Sequence, residues 1–582
     1  MAEQKRRIVT KGEYCCDFET TSLKQYEIEG ITRVYLYKIV DLKTGKKEHY
    51  GVNIEDFIDY IFSQKDLLKI YFHNLSFDGE FIIYHLMINK WKYVDEMKEP
   101  TLDPTFTAII DNFNSIYEIT LSKDNKLIKI NCSYKLTGLS IKDLGKLVGL
   151  DKLNETHDYE EMKNYKSIDE VSEEELSYIT NDVEIMRQAI IKCYEMGIRG
   201  ITKSSACYRL WKKIEWVKIK DNVITDYPEE IEHIVNSSYR GGITMVNKLQ
   251  QGKVLYDMRN YDVNSLYPSV MYNKMPIGEP ILVKQEKELP ANYELRLYEI
   301  YIESAKVING YIPFIPTSKS FVWKDSYEYP YKVENLEICL WRDEFELFKT
   351  YYEGNYKVIK VVGWKAKEKL FDEYLEGFKK IKEEAPNPSP ERTFAKGCMN
   401  SLYGKFAQTA NRVSKRPKLI NDEVEFETYE NEGQGAYDRK IASIITSYAR
   451  CVLIKAINKN PKRFVYCDTD SIYILGDYDY DIPIDDKKLG FWKYEHSYYK
   501  FKALKAKCYI SVIKGGKEDG DIHSAISGLP KEVQNTIKFE DFKDGLTMLD
   551  VKKQQCRVKG GIVIIKRPFT IKIKKGEIIS EE

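Results

Sequence analysis

The sequence YCDTDS, residues 466–471, sets two aspartates one residue apart within a run that is typical of a β-strand. The flanking segments RFVY and IYIL are β-branched, aromatic and apolar. Alternation along a strand predicts that Asp468 and Asp470 share one face. Two carboxylates within about 7 Å repel each other unless a cation lies between them. The stretch therefore predicts a cation site. An exposed polar hairpin is the alternative, and Tyr466 and the β-branched flanks argue against it.

The composition of the 582-residue chain indicates a protein of two to four domains. Hydrophobic residues make up 43% and no run of 18 apolar residues occurs, so we expect no membrane span. The N-terminal sequence MAEQKRRIVTKGE lacks the apolar region of a secretory signal. Eleven cysteines without a C-x-x-C pair favour a reduced cytosolic protein without a zinc module.

Charge is balanced overall but segregated along the chain. There are 90 basic and 90 acidic residues, yet residues 552–575 hold nine Lys or Arg and no acid. Residues 151–185 hold twelve acids and three lysines. Such segregation suits an enzyme that grips polyanions in one place and metals in another. Solvated helix and strand faces explain any single run equally well.

Strand-like and helical segments alternate throughout, without internal repeats, which predicts an α/β or α+β class. The punctuation in EMGIRGITKS, residues 195–204, marks the best early domain boundary.

Carboxylates recur in the first third of the chain. CDFETT places Asp17 and Glu19 on one face of a strand, and Asp78 follows the aromatic stretch YFHNLSF. Tyr178 and Asp182 share a face of a helix that begins at a Ser172 cap. Phosphodiester hydrolysis by two metals needs three or four such acids, and hard oxygen ligands suit Mg²⁺ or Mn²⁺. Taken singly, each acid is also compatible with an ordinary protein surface.

In this order the patterns DxE, Nx₂–₃(F/Y)D and Yx₃D resemble the three motifs of proofreading 3′–5′ exonucleases of the DEDD class, which have an RNase H-like fold. The resemblance implies that Asp17, Glu19, Asp78 and Asp182 bind two metals and that Tyr178 positions the attacking water. It also implies that a frayed 3′ end is held by His73, Asn74, Phe77 and Phe81, with Lys152 near the scissile phosphate. Ser133 is a further DNA ligand by resemblance, although Cys132 stands where relatives often have Asp.

A second set of polar residues lies in the last two thirds. Asp262 lies on a strand that we expect to turn at Pro268. PSPERTFAKGCMNSLYGKF predicts a helix with Ser389 as its cap and Pro390 at its first position, stopping at Gly404. Two cations, an amide and an aromatic form one stripe on it, namely Arg392, Lys396, Asn400 and Tyr403. A solvated helix face is the alternative, but the stripe suits a nucleotide, with the cations on the triphosphate and the aromatic at the base.

The series DxxSLYP (262–268), KxxxNSxYG (396–404) and YCDTDS resembles the A, B and C motifs of family B DNA polymerases. YRGG (239–242), KxY (507–509) and KKLGFW (487–492) narrow the resemblance to the protein-primed replicases of small Bacillus-type phages. Two positions depart from it: Ala449 stands in TSYAR where many relatives have Gly, and Arg392 stands where Lys is common. Neither departure touches the metal ligands.

The resemblance implies a role for each matching residue. Asp262, Val263 and Asp470, with Asp468 beside them, would hold two Mg²⁺. Lys382, Arg392 and Lys396 would contact the triphosphate, Tyr267 would lie under the sugar, and Asn400 and Tyr403 would pack on the nascent pair. The DNA contacts would come from Tyr239, Arg240, Gly241, Gly242, Thr446, Arg450, Lys507 and Tyr509.

The same resemblance implies the domain plan. Residues 1–200 would form the exonuclease domain and 201–582 a right-hand polymerase. Within the latter we expect the palm at about 203–274 and 441–530, the fingers at about 364–406 and the thumb at about 531–582. Two insertions would mark the protein-primed branch, one for the priming protein at about 275–363 and one for strand displacement at about 407–440.

We therefore expect a template-directed DNA polymerase that starts from a terminal protein, with strand displacement, high processivity and proofreading. Its cofactor would be Mg²⁺, or Mn²⁺ as a substitute, with two ions per site. Its partners would be template and primer DNA, dNTPs, the terminal protein and viral proteins that bind single-stranded and double-stranded DNA. We expect a monomer in the cytoplasm of a bacterial host. The alternatives are an ordinary primer-dependent family B enzyme and a catalytically silent DNA-binding relative.

Overall fold

The first sheet of the computed structural model combines the early part of the chain with two strands from far along it. The model describes residues 12–154, 161–215, 219, 227–317, 329–408, 411–432, 438–573 and 579–580, and elements are numbered in chain order over these residues. The sheet has ten strands in the order β17-β16-β6-β7-β8-β4-β1-β2-β3, with β5 beside β6. Their bounds are β1 Glu13–Thr20, β2 Val34–Asp41, β3 His49–Gly51, β4 Lys69–Phe72, β5 Lys92–Tyr93, β6 Thr105–Asp111, β7 Ile116–Lys123, β8 Lys126–Cys132, β16 Asn411–Ile420 and β17 Glu423–Glu432.

Six helices accompany this sheet: α1 Leu23–Glu29, α2 Ile54–Ser63, α3 Asp78–Ile88, α4 Ser133–Thr137, α5 Ile141–Val148 and α6 Glu173–Glu195. The predicted cap of α6 is confirmed, because Ser172 and Glu175 form a reciprocal capping box. Helix α6 packs against β1 and β2. The packing brings the acids of a helix and a central strand together.

The hairpin β16–β17 lies in the segment predicted as the strand-displacement insertion. Its strand β16 pairs with the edge strand β6 through Ser414 with Asp111 and Lys415 with Ile110. An unpaired strand edge offers backbone groups to another strand, which explains this attachment. Its turn is at Asn421 and Asp422, both with positive φ. The stretch NEGQGAYD, residues 431–438, also has the residue types of a turn, but residues 433–437 lie outside the described residues.

The second sheet has seven strands in the order β22-β21-β20-β10-β19-β18-β9. Their bounds are β9 Thr244–Val246, β10 Leu255–Val263, β18 Phe464–Asp468, β19 Ser471–Leu475, β20 Trp492–Lys505, β21 Cys508–Lys514 and β22 Ile522–Ile526. All its strand pairs are antiparallel. Such pairs can be joined by tight turns.

The YCDTDS stretch forms one of these turns and is not a continuous strand. Asp468 pairs with Ser471, and Thr469 between them has a φ of 58°. Strand alternation therefore does not apply, and the prediction that it puts Asp468 and Asp470 on one face was wrong. Asp468 ends β18 and Asp470 lies in the turn that follows, and both are half-buried.

A third sheet of four strands, in the order β11-β15-β12-β14, falls almost entirely within the first predicted insertion. Its strands are β11 Met275–Val283, β12 Leu295–Val307, β14 Lys332–Trp341 and β15 Tyr352–Lys367. Two pairs complete the strands: β13 Tyr329–Pro330 lies beside β25 Ile579–Ser580, and β23 Thr547–Val558 forms a hairpin with β24 Gly561–Thr570.

The later helices are α7 Lys203–Ile214, α8 Glu229–Ser238, α9 Leu266–Val270, α10 Arg342–Tyr351, α11 Asp372–Glu384, α12 Pro390–Phe406, α13 Arg439–Ile457 and α14 Lys531–Gln534. Ser389 caps α12 as predicted, by accepting a hydrogen bond from the Arg392 backbone. The helix passes through Gly404 and ends at Phe406, because that ring is buried against Trp211. Strand β10 ends at Val263, so the chain turns at Ser265 (φ 50°) and not at Pro268.

The mixed α/β class with several domains is confirmed. In the described part of the chain, no helix is both long and apolar enough to cross a membrane.

Candidate active sites

The first candidate site lies where β10 meets the β18–β19 turn. Asp262 is opposite Ser471, and the Val263 backbone N–H donates to the Asp470 carbonyl over 2.8 Å. Burial, reinforced by the Asp470 carboxylate, raises the pKa of Asp262 to about 7. Burial also raises the pKa of Asp470, against the lowering effect of Lys396. Two partly buried carboxylates that repel each other fit a hard divalent cation such as Mg²⁺.

Asp468 is neutralised by a different group. The Lys507 Nζ donates to both of its carboxylate oxygens over 2.8 and 2.9 Å, and the Thr244 hydroxyl donates over 2.9 Å. Of the two aspartates in YCDTDS, only Asp470 is thus coupled to Asp262. The predicted cation at Asp468 is a lysine of the chain itself.

A basic cluster lies beside this pair of acids. The Lys382 Nζ donates to the Ser265 hydroxyl over 3.0 Å, and the Arg392 guanidinium donates to the Lys382 carbonyl over 2.7 Å. Burial, together with the nearby charges of Arg392 and Lys396, lowers the pKa of Lys382 to about 8. Such crowding of cations favours an anionic ligand with several charges, such as a triphosphate.

Aromatic rings occupy the adjoining surface. Tyr267 and Tyr403 stack with ring centroids 4.3 Å apart. A Cβ atom on Gly242 would lie 2.9 Å from the Tyr267 hydroxyl and 2.8 Å from the Thr469 methyl group. The YRGG segment therefore approaches both the aromatic pair and the β18–β19 turn, and only glycine fits there. Asn400 is half-buried one helical turn before Tyr403.

The second candidate site lies on β1, α3 and α6. Burial and the Asp182 carboxylate raise the pKa of Asp17 to about 8, although Lys152 opposes this. Burial, Asp17 and Glu19 together raise the pKa of Asp78. The four predicted acids therefore act on one another electrostatically, and their oxygens suit a hard divalent cation. Within the described ranges, no three Asp, Glu, His or Cys side chains form a ready-made metal cluster.

The structure also brings the predicted accessory residues to this second site. The Lys152 Nζ lies 3.2 Å from an Asp182 carboxylate oxygen and 5.3 Å from the centroid of the Tyr178 ring. Phe77 and Phe81 form an aromatic pair at 5.8 Å, and Asn74 precedes them with a φ of 55°. Phe81 is buried in the core, so the DNA contact that we predicted for it is wrong in this conformation.

His73 is next to this pair and has a buried partner. One ring nitrogen of His73 is 2.9 Å from the hydroxyl of Ser133, which is fully buried. Ser133 therefore cannot touch DNA in this conformation and orients His73 instead. Burial and Lys152 lower the pKa of His73 to about 4.

Comparisons with known proteins establish the family of this chain. The family described as "DNA polymerase type B, organellar and viral" matches residues 59–488. The chain belongs to the type B DNA polymerases. It is 30% identical to the DNA polymerase of Bacillus phage phi29 and 31% identical to that of Bacillus phage PZA, each over 96% of this chain and 99% of the relative. A solved structure of phi29 DNA polymerase with primer-template DNA and incoming nucleotides has a TM-score of 0.88 at 29% identity, covering 97% of this chain and all of that one.

The predicted resemblance to the replicases of small Bacillus phages is thus confirmed, and the protein is a DNA-directed DNA polymerase. In this type B polymerase the YRGG segment is supported by a buried ionic triad. The Arg240 guanidinium donates to the Glu344 carboxylate over 3.1 and 3.2 Å. Arg450 donates to the same carboxylate over 2.7 and 2.9 Å and to the carbonyls of Arg240 and Gly241 over 2.6 and 3.0 Å. Although burial opposes ionisation, the two guanidiniums lower the pKa of Glu344 to about 2.

This triad corrects the roles that we predicted for Arg240 and Arg450. Both are buried, so they hold the Tyr239–Gly242 segment in place and do not offer atoms to DNA in this conformation. Thr446 is buried as well, and its hydroxyl donates to the Ser443 carbonyl over 3.0 Å instead of contacting DNA. Tyr509 is also buried, and its hydroxyl is 2.8 Å from that of Tyr473.

Sequence reasoning missed two residues of the polymerase site. Ser265 receives the Lys382 hydrogen bond and has a left-handed backbone. Its position inside DxxSLYP was a signal that could have been used. Glu344 lies in an ordinary amphipathic helix, and no local pattern distinguishes it.

Proposed function

We propose that this polymerase extends DNA at the Asp262–Asp470 site and starts synthesis from a terminal protein. The observation that carries the proposal is the juxtaposition of two coupled carboxylates with a crowded cluster of three cations. Two Mg²⁺ ions held by Asp262, Asp470 and the Val263 carbonyl would activate the primer 3′-hydroxyl and stabilise the leaving pyrophosphate.

The side chains of the polymerase site position the nucleotide. Lys382, Arg392 and Lys396 bind the triphosphate, and Arg392 and Lys396 lie on one face of α12. The stacked pair Tyr267 and Tyr403 forms the surface for the sugar and the nascent base pair, with Asn400 beside it. Tyr267 leaves no room for a 2′-hydroxyl. Lys507 steadies the primer end, the buried Tyr509 packs against Tyr466 and Tyr473, and the Tyr239–Gly242 segment guides the template strand.

The second site removes misincorporated nucleotides in the 3′–5′ direction. Asp17, Glu19, Asp78 and Asp182 hold the metals, and Tyr178 with Lys152 orients the water and the scissile phosphate. His73, Asn74 and Phe77 receive the single-stranded 3′ end by stacking and hydrogen bonding, and the buried Phe81 packs against Phe77.

The insertions supply the remaining functions. The third sheet, almost entirely within residues 275–363, is the surface for the terminal protein, and the β16–β17 hairpin supports strand displacement and processivity. The polymerase acts as a monomer in the bacterial cytoplasm, where viral proteins that bind single-stranded and double-stranded DNA assist it. The likeness to a phage polymerase solved with primer-template DNA and nucleotides supports the proposal that this chain extends DNA from nucleotides.

Incubation with primed single-stranded circular DNA, dNTPs and Mg²⁺ tests the proposal. Products longer than one template circle would demonstrate synthesis and displacement together. A second incubation with terminal protein and linear template, without a DNA primer, separates protein priming from an ordinary primer-dependent enzyme. A catalytically silent relative would give no product in either incubation.

A further inference from the structure

The tip of the β23–β24 hairpin docks on the first sheet, far from it in sequence. The Thr32 backbone N–H donates to the Lys559 carbonyl over 2.9 Å. At the next two positions a side chain is excluded, because a Cβ on Gly560 would lie 1.7 Å from the Thr32 carbonyl oxygen and one on Gly561 would lie 2.5 Å from the Phe81 ring. The tip therefore fits closely against the exonuclease part of the chain.

Arg557, just before this tip, contacts two other parts of the chain at once. Its Nε lies 2.9 and 3.1 Å from the two Glu80 carboxylate oxygens, and its Nη2 lies 2.7 Å from one of them. Glu80, in helix α3, has only 3% of its side chain exposed. The guanidinium also lies 3.7 Å from the centroid of the Phe426 ring, in strand β17. One side chain thus joins the β23–β24 hairpin, helix α3 and the β16–β17 hairpin.

Apolar contacts extend this junction between the two hairpins and the first sheet, which we call the seam. Ile562 from the β23–β24 hairpin and Val424 from β17 are buried in the hydrophobic core of the first sheet. Because both hairpins begin and end in the polymerase half of the chain and both contact the exonuclease half, the protein forms a closed path. It runs from the polymerase half through one hairpin to the first sheet and back through the other hairpin.

We propose that Arg557 is the latch of this closed path and keeps it shut while DNA passes through. The inference rests on the proposed role of the β16–β17 hairpin in processivity. The closed seam buries the Glu80 carboxylate against Arg557, so removing the arginine alone leaves this buried charge without its partner and weakens the seam. Only arginine can donate two parallel hydrogen bonds to a carboxylate and stack on an aromatic ring at the same time. Arg557 is a positioning residue and does not touch the reacting atoms.

The test compares product lengths in the presence of a DNA trap, which limits each enzyme to one binding event. Arg557→Ala should shorten the products by about tenfold, because loss of one partner of a buried pair leaves the other charge uncompensated. Arg557→Lys should lie in between, and the rate of single-nucleotide insertion should stay near normal in both variants, which also shows that they fold. Lys559→Ala is the matched control, since it removes a cation from the same tip whose partner Asp422 is 62% exposed.

Glu80→Gln separates a latch from a DNA contact. A latch requires that Glu80→Gln also shortens the products and that the double variant is no worse than Arg557→Ala alone. Normal products from Glu80→Gln beside short ones from Arg557→Ala would mean that Arg557 binds DNA directly, and the latch would be rejected. Long products from both the unaltered enzyme and Arg557→Ala, or equal shortening by Lys559→Ala, would reject it as well. Short products from the unaltered enzyme would refute the proposed processivity and the latch together.

Discussion

The Lys507 Nζ lies within hydrogen-bonding distance of both carboxylate oxygens of Asp468, at 2.8 and 2.9 Å. The first aspartate of YCDTDS is therefore neutralised by the KxY segment, whereas Asp470 stays coupled to Asp262. Lys507→Ala would leave two unneutralised carboxylates on one hairpin tip. We expect it to slow single-nucleotide insertion by at least about tenfold, which corresponds to about 1.4 kcal/mol.

Asp468→Asn is the companion variant. If the two residues act as a pair, the double variant should be no slower than the slower single variant. Degradation of single-stranded DNA should be unchanged and serves as the control for folding. If the rate losses of the two single variants multiply in the double variant, Lys507 and Asp468 act independently.

The two active sites should be separable, because Asp262 and Asp470 belong to the second sheet and its turn, whereas the other four acids lie on β1, α3 and α6. Asp470→Asn should abolish primer extension and spare the degradation of single-stranded DNA. The combined change Asp17→Ala and Glu19→Ala should do the reverse. Assays of both activities on each purified variant check this, and loss of both activities in a folded Asp470→Asn enzyme would refute the two-site assignment.

Tyr267→Val should admit ribonucleotides. The Tyr267 ring, held by its stack on Tyr403, is expected to clash with a 2′-hydroxyl, and valine relieves the clash without touching a metal ligand. The ratio of dNTP to rNTP insertion should fall by at least about tenfold, since one lost clash is worth about 1–3 kcal/mol of discrimination. Tyr272→Phe is the control. The Tyr272 hydroxyl donates to the Glu376 carboxylate, so its removal should leave the ratio unchanged.

Glu344 should contribute to stability in a pH-dependent way. Its pKa of about 2 is below the ordinary value of about 4.3, so folding favours the charged form. The contribution is fully present above about pH 5 and is lost as the pH falls toward 2. Glu344→Gln should lower the free energy of unfolding by about 3–5 kcal/mol at pH 7, because it leaves two buried guanidiniums without a counter-charge.

Denaturant unfolding at pH 7 and pH 3 measures this contribution. The difference between the unaltered protein and Glu344→Gln should shrink at pH 3. Glu346→Gln is the control on the same helix, because Glu346 pairs with Lys349 at the surface. An equal loss from Glu346→Gln, or a difference that does not change with pH, would contradict the role of the triad.

The sequence predicted what local chemistry determines. Ser172 and Ser389 cap their helices because the signal lies within three residues, and Asp262 and Asp470 were recognisable from short motifs. The prediction from strand alternation failed at Thr469, because its left-handed backbone converts the strand into a turn. The types of the neighbouring residues do not indicate this change. Partners distant in sequence were out of reach: nothing near Glu80 indicates Arg557, 477 positions away.

The last prediction concerns residues 412–436, which include the strand β16 that pairs with β6. Lys415 pairs through its backbone with Ile110, and its Nζ donates to the Asn114 side chain over 2.6 Å. The hairpin thus joins the first sheet to the part of the chain between α12 and α13, and its basic strand (the Arg412 side chain lies outside the described residues) is suited to phosphate contact. Replacing residues 412–436 with a short Gly-Ser linker should leave single-nucleotide insertion near normal, because the Asp262–Asp470 site is elsewhere. Products made with a DNA trap should shorten by about tenfold or more, as expected when a closed path is opened, and synthesis should stall where the template becomes duplex.

Lys415→Ala alone should cause only a small loss, since the backbone pairing with β6 remains. If the linker variant still copies long duplex DNA in one binding event, the hairpin is not the displacement element.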